Sequence, residues 1–289
     1  MSRIAYVNGR LVPIADATVH IEDRGFQFAD GVYEVVAVLN GAMLDWPQHA
    51  ARFGRSLREL SITAPMSEAA LSIVARRVLA ANRIRDGLLY VQATRGAARR
   101  DHPFPAHAVP TLVMTARPFD FRVRTAQQKT GISIVTQPEN RWQRRDIKSI
   151  ALLPNVLAKQ SARNARAFEA WFVNPDGTVS EGASTNAWIV RKDGTIVTHP
   201  ASESILHGVM RGTLLALARE HQIRVEEAPF TVADALDAAE AFITSTSVPC
   251  LPVISIDGNP VGSGVPGPVT ARLAEALWAE VERQTGWRR

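Results

Sequence analysis

Lys148 stands in the segment Arg144-Arg145-Asp146-Ile147-Lys148-Ser149, directly ahead of the apolar run Ile150-Ala151-Leu152-Leu153-Pro154-Asn155-Val156-Leu157. Only four of the 33 basic side chains are lysines, at positions 129, 148, 159 and 192, so this chain relies on arginine for ordinary positive charge. An amine can lose its proton, whereas a guanidinium effectively cannot. A lysine desolvated by apolar neighbours and held near other cations has its proton affinity lowered, which makes it a nucleophile able to form a Schiff base. The plain alternative is a lysine on a solvated loop, and composition alone favours it.

Three further stretches carry groups that such an amine would need. In Val179-Ser180-Glu181-Gly182-Ala183-Ser184-Thr185-Asn186, small residues let backbone approach a ligand and Glu181 is the sole charge; an ordinary turn with an exposed glutamate reads equally well. Ile205-Leu206-His207-Gly208-Val209-Met210-Arg211-Gly212-Thr213 opens a helix, and the unpaired N–H groups of a helix start beside a glycine form a phosphate cradle, although a glycine there is common. Thr244-Ser245-Thr246-Ser247 ends a strand with four hydroxyls suited to the same phosphate, or to a plain turn.

The elements that must position these groups follow from pattern. Asn8-Gly9 and Asn40-Gly41, each flanked by apolar runs, predict two tight hairpins. Helices are expected from Trp46-Pro47, with Phe53, Leu57 and Leu60 on one face, and over 67–82. Strands are expected over 88–93 and 111–115, separated by a polar loop over 95–110. Pro, Arg and Gln replace the apolar pattern near 117–130, which reads as a boundary. Beyond it, strands over 132–135, 170–173, 187–190, 195–198, 223–226, 241–244 and 251–256 alternate with helices over 153–167, 208–221, 231–235 and 265–285. The fold class is therefore α/β (α+β) in two domains: 1–120, a linker over 121–130, and 131–289.

At 289 residues, with 46% hydrophobic and 21% charged side chains, the composition is that of a soluble globular protein. One cysteine, Cys250, gives neither a disulfide framework nor a metal cluster, so no metal is expected and a cytoplasmic, reducing setting is. The first residues lack a signal-peptide pattern and no apolar run is long enough to span a membrane, so no membrane partner is expected. The net charge of +5 is spread along the chain, so nucleic-acid binding is not expected.

A lysine for a Schiff base, a carboxylate and a phosphate site are together what pyridoxal phosphate requires. Arg24-Gly25-Phe26-Gln27-Phe28-Ala29-Asp30-Gly31-Val32-Tyr33-Glu34-Val35, the Lys148 segment with Leu153-Pro154-Asn155-Val156, Ser180-Glu181-Gly182 and Leu206-His207-Gly208-Val209-Met210-Arg211 occur in the order found in class IV aminotransferases. The chain resembles that fold type IV pyridoxal-phosphate family over roughly 6–253. The resemblance implies that Lys148 carries the cofactor and moves the substrate proton. It implies that Glu181 partners the pyridine nitrogen, and that Arg52, the Val209 and Met210 amides and the Thr246 hydroxyl hold the phosphate. One departure is Met210, where relatives often carry threonine. The loop Thr94-Arg95-Gly96-Ala97-Ala98-Arg99-Arg100-Asp101-His102-Pro103-Phe104-Pro105 is similar to the carboxylate-binding loop of D-amino-acid aminotransferases. That likeness implies that Arg100 and His102 reach across the dimer interface to join Tyr33 in gripping the substrate α-carboxylate, with Arg99 as a neighbouring competitor. The resemblance implies a homodimer that transfers the amino group of a D-amino acid, such as D-alanine, to a 2-oxo acid through a pyridoxamine form. An (R)-selective amine or branched-chain aminotransferase, an aminodeoxychorismate lyase and, from another class, a non-catalytic anionic-ligand or nucleic-acid binding protein are the alternatives.

Overall fold

The computed structural model describes residues 3–289, which form two compact units. The first comprises residues 3–120, 147–151 and 284–287. Its strands are β1 (Ile4–Val7), β2 (Arg10–Pro13), β3 (Gly31–Leu39), β4 (Ala42–Met43), β5 (Gly87–Thr94) and β6 (Thr111–Pro118). Its helices are α1 (Arg24–Phe28), α2 (Trp46–Glu59) and α3 (Glu68–Ala81). The strands form one antiparallel sheet in the order β2-β1-β6-β5-β3-β4. Both Asn-Gly hairpins form as expected. Asn8 and Gly9 have φ of 45° and 94°, Asn40 and Gly41 of 51° and 80°, the left-handed pair that a two-residue turn demands. The α2 helix packs on β3, and α3 on β1 and β6. Val36, Val38, Phe53, Leu57, Leu71, Val78, Leu89 and Met114 form the core beneath them.

The Lys148 segment belongs to this first unit, a departure from the expectation that it lies in the second. The physical reason is an open strand edge. β4 is only two residues long and covers β3 at Val38 and Leu39, leaving the other end of that edge without a strand partner. Residues 147–151 fill it: the Tyr33 N–H donates to Lys148 O at 3.0 Å, Ile150 N–H donates to Gly31 O at 3.0 Å, and Val32 bridges Ser149. Ile147, 4% exposed, anchors the segment in the first unit's core.

The second unit comprises residues 121–146, 152–283 and 288–289. Its helices are α4 (Arg122–Thr130), α5 (Leu153–Asn164), α6 (Val209–Glu220), α7 (Val232–Asp237) and α8 (Pro268–Thr285). Its strands are β7 (Ile132–Pro138), β8 (Glu169–Val173), β9 (Val179–Gly182), β10 (Asn186–Val190), β11 (Ile196–Thr198), β12 (Val225–Glu227), β13 (Glu240–Ser245), β14 (Val248–Ile256) and β15 (Asn259–Pro260). They make a mixed nine-stranded sheet, β12-β11-β10-β13-β14-β7-β8-β9, with β15 on β14. The β7 strand runs parallel to both β8 and β14, and β11 is parallel to β12. The stretch over 121–130 is a helix and not a linker. Its polarity fits a helix with no fully buried residue, tied to the turn before β14 by Arg124, which donates to the Ser247 carbonyl, and to β14 by Gln128, which donates to that of Cys250. Among the described residues no helix is long and apolar enough to cross a membrane.

Candidate active site

In the first unit, successive residues of β3 point to opposite faces. Tyr33 meets Lys148, whose Nζ lies 4.3 Å from the tyrosine ring centroid, while Tyr90 stacks on Tyr33 at 5.7 Å. Burial first, and then Tyr33, push the Tyr90 hydroxyl up to about 12, and it donates to Gln92 at 2.7 Å. Lys148 is half-buried, and its backbone is fixed by the β3 bonds and by its own N–H donating to the Ser56 hydroxyl at 3.3 Å. The amine is thus carried on a pinned backbone beside the Tyr33 ring, which Tyr90 in turn backs.

On the other face of β3, Glu34 meets His49 and Arg52, three residues apart on α2 and therefore on one helix face. The Arg52 guanidinium forks onto Glu34, with Nε to Oε1 and Nη2 to Oε2 both at 2.8 Å, and His49 Nδ1 lies 2.7 Å from Oε2. All three are buried. Burial alone raises the Glu34 carboxyl, but the charges and hydrogen bonds of Arg52 and His49 together outweigh it and bring the group down to about 2. Burial also lowers the proton affinity of His49. Arg52, assigned from sequence to a phosphate, therefore has two of its donors on a carboxylate that the sequence reading left out. The His-x-x-Arg spacing on α2 opposite an inward glutamate was the available signal.

The loop after β5 carries Arg100 and His102, both exposed. Both lean on Phe28: the Arg100 guanidinium lies 5.2 Å from its ring centroid, and the His102 ring 5.5 Å away.

In the second unit, Glu181 lies on β9, a strand where a turn was an open reading, and it is buried. Arg141 Nη1 donates to Glu181 Oε1 at 2.7 Å, Asn186 Nδ2 donates to Oε2 at 3.0 Å, and the Leu206 N–H reaches both oxygens at 3.1 Å. Burial pushes the Glu181 carboxyl above the ordinary carboxylate range, against the pull of Arg141. Arg141 is itself held by a fork onto Glu139, from Nε at 3.0 Å and Nη2 at 2.7 Å, and its guanidinium lies 4.4 Å from the Phe172 centroid. This Glu139-Arg141-Glu181 chain was not read from sequence, because Glu181 lies 40 residues from Arg141. The arginines just before Lys148 are also compensated: Arg144 forks onto Asp146 at 3.0 Å, and Arg145 lies 3.5 Å from Glu139.

Val209 and Met210 open α6, whose N-cap Gly208 supplies no side-chain cap to the first amides. A Cβ on Gly208 would lie 2.1 Å from Asn186 Oδ1, so glycine is required by the side chain that braces Glu181. Thr246 occupies the two-residue turn joining β13 to β14, half-buried. Of the four hydroxyls expected there, that of Thr244 is turned inward and accepts from Trp188 Nε1 at 2.9 Å. Among the described residues no group of three or more histidine, cysteine or acidic side chains could hold a metal.

The profile of the amino-transferase class IV family matches residues 31–256. This chain belongs to that family. It is 42% identical to the D-alanine aminotransferase of Bacillus licheniformis over 96% of its own length and 97% of that protein's, and 38% identical to that of Listeria monocytogenes over 97% and 96%. The fold matches the branched-chain amino acid aminotransferase of Escherichia coli with a TM-score of 0.90, at 24% identity, over 100% of this chain and 97% of the other. The arrangement is thus that of fold type IV, as the sequence motifs implied.

Proposed function

We propose that this protein is a pyridoxal 5′-phosphate-dependent aminotransferase acting on D-amino acids, with D-alanine and 2-oxoglutarate giving pyruvate and D-glutamate as the representative exchange. The observation that carries the choice of substrate is the end-to-end similarity, at 42% identity, to a D-alanine aminotransferase. The donor set fits the cofactor: a primary amine at Lys148, a buried carboxylate at Glu181, and a helix start whose N-cap glycine leaves no room for a side chain. When bound, the cofactor supplies an aldehyde carbon that takes up an amino group and a ring that stores the electron pair released at the substrate α-carbon.

Lys148 would hold the cofactor through its amine and would serve as the group that takes up and returns the proton of the substrate α-carbon. Its pinned backbone leaves that transfer to the side chain. Tyr33 sets the direction from which the amine works. Glu181, fixed by Arg141, Asn186 and the Leu206 amide, keeps the pyridine nitrogen protonated and so strengthens the ring as an electron sink. The Val209 and Met210 amides and the Thr246 hydroxyl hold the phosphate at a helix N-terminus. Arg52, which the family resemblance assigns to the phosphate, shares its charge with Glu34. Arg100, His102 and Tyr33 grip the substrate carboxylate, and the side on which they do so decides which enantiomer turns its α-hydrogen to Lys148. We further propose that the protein acts as a homodimer in the cytoplasm, a setting that suits its single, buried thiol at Cys250.

The test is the visible absorption of the cofactor-loaded protein before and after D-alanine, with L-alanine, L-leucine and (R)-1-phenylethylamine in parallel. Bleaching by D-alanine and recovery on 2-oxoglutarate is the expected result. A band that responds only to L-leucine or to the amine would overturn the D-amino-acid reading while leaving the cofactor chemistry intact.

A further inference from the structure

We infer that Arg24 is a positioning residue for substrate carboxylate recognition, acting through the loop that carries Arg100 and His102. The inference rests on the role proposed above for that loop.

The α1 helix begins immediately after Asp23, whose carboxylate accepts from the Gly25 N–H at 2.8 Å and from the Thr94 hydroxyl at 2.9 Å. The helix is therefore tied to the end of β5, where the loop starts. Arg24 is 3% exposed, so its guanidinium is a buried cation that needs partners. Its Nε donates to Asp30 Oδ2 at 2.8 Å. The other edge of the guanidinium turns to the loop backbone, with Nη1 donating to Asp101 O at 2.6 Å and Nη2 to His102 O at 3.2 Å. Two consecutive carbonyls, one on His102 and one just after Arg100, are thus clamped by a single planar group.

The same group sits over the Phe28 ring, 4.8 Å from its centroid. That ring is also the platform for the Arg100 guanidinium and the His102 imidazole. The root of the loop is fixed independently. Arg95 forks onto Asp30 and donates to the carbonyls of Leu60 and Ser61, while Phe104 covers its guanidinium at 3.6 Å. The Ala98 N–H donates to Glu22 O, and the Arg24 N–H to Gly96 O. Arg95 therefore secures the start of the loop, and the Arg24 guanidinium reaches the backbone at its tip. An exposed loop held at the tip by a charge-assisted fork presents its recognition side chains already ordered, so binding carries less of an ordering cost. No sequence motif marks Arg24 for this task, because its partners are backbone atoms 77 and 78 residues away.

The experiment compares Arg24→Gln, Arg24→Lys, Arg100→Ala and the double variant Arg24→Gln/Arg100→Ala as cofactor-loaded enzymes. It reads KM and kcat for D-alanine, together with the affinity for D-lactate, a carboxylate with no amino group to transfer, by calorimetry. Arg24→Gln is expected to raise KM and to weaken D-lactate binding at least tenfold, with kcat changed less than threefold. The double variant is expected to be no worse than Arg100→Ala within threefold, because Arg24 acts through the loop and not on the substrate. Arg24→Lys keeps a counter-charge for Asp30, and hence the fold, but cannot span two carbonyls; a fivefold rise in KM is expected even where Arg24→Gln fails to fold. Unchanged KM in Arg24→Lys, or losses that multiply in the double variant, would overturn the inference while Arg100→Ala still upholds the loop's role. Unchanged KM in Arg100→Ala would instead overturn the proposed role of the loop, and this inference with it.

Discussion

Glu34→Gln tests whether the buried triad on α2 and β3 stabilises the first unit by charge. The substitution preserves size but removes the charge that Arg52 and His49 face, in a site where Glu34 is 2% and Arg52 9% exposed. Two routes give the magnitude. A carboxyl moved from 4.5 to about 2 by folding stabilises the native state by about 3 kcal/mol at neutral pH, at about 1.4 kcal/mol per factor of ten in proton affinity. Independently, removing one partner of a buried ion pair costs roughly 3–5 kcal/mol, because the other charge stays buried without compensation. The sign with pH follows. Because the folded-state proton affinity is depressed, the stabilisation is fully present above the ordinary carboxyl value near 4.5 and is lost as pH falls toward about 2. His49, whose affinity burial lowers, adds a second acid-sensitive contribution that sets in through the ordinary imidazole range near 6.5; it is larger in Glu34→Gln, which lacks the carboxylate that holds this affinity up, so the gap first widens below that range before protonation of Glu34 in the parent narrows it. The assay is urea unfolding of the parent and Glu34→Gln across a pH series. A midpoint lower by ~1 M at pH 7.5 is expected, for a slope of about 3 kcal/mol per molar urea. The gap should narrow below pH 4. Equal midpoints at pH 7.5, or a gap that does not change down to pH 3, would refute the argument.

Two other outcomes are expected. Lys148→Ala should abolish multiple turnovers while leaving the far-ultraviolet dichroism unchanged, since the segment is held by backbone bonds to Gly31 and Tyr33 and by Ile147, not by the lysine side chain; multiple turnovers in that variant would remove Lys148 from its role. Gly208→Ala should displace the Asn186 side chain, because the added carbon would lie 2.1 Å from its Oδ1; a loss of at least tenfold in affinity for inorganic phosphate and for the cofactor, read by equilibrium dialysis, is the expected result.

The legibility of the fold in sequence followed the range of the forces involved. Asn8-Gly9 and Asn40-Gly41 could be read because adjacent residues decide their geometry. The helices α2 and α3 could be read from apolar spacing and from Pro47 and Ser67 at their starts; the Ser67 hydroxyl accepts from the Ala70 N–H at 3.3 Å. β9 escaped because its residues are small and polar and are buried by partners distant in sequence: Ser180 donates to Glu139 at 2.7 Å, and Glu181 meets Arg141. The α4 helix read as a linker because its face carries almost no apolar side chains. At the candidate site, Lys148, Glu181 and Gly208 could be singled out through the ordered motifs that surround them, since each residue alone reads equally well as an ordinary loop, turn or helix-start residue. Arg24, Glu34, His49 and Arg141 did not stand out, since in a chain so rich in arginine only distances separate a clamp from a surface charge.

The composition of the first unit has a consequence for how the chain folds during synthesis. Residues 284–287 belong to that unit: the Gln284 side chain accepts from the Asp45 N–H and donates to its carboxylate, and Asn40 donates to Thr285 O. At about 5–20 residues per second, on the order of ten to thirty seconds separate the emergence of β6 from that of its last bracing residues. Over that interval the growing chain carries a six-stranded sheet whose β3 edge first waits for residues 147–151 and whose α2 start waits longer still. A bare strand edge of this kind recruits other chains. The nascent protein is therefore most exposed to misassociation on the ribosome, and a fragment ending near residue 120 would keep that vulnerability permanently.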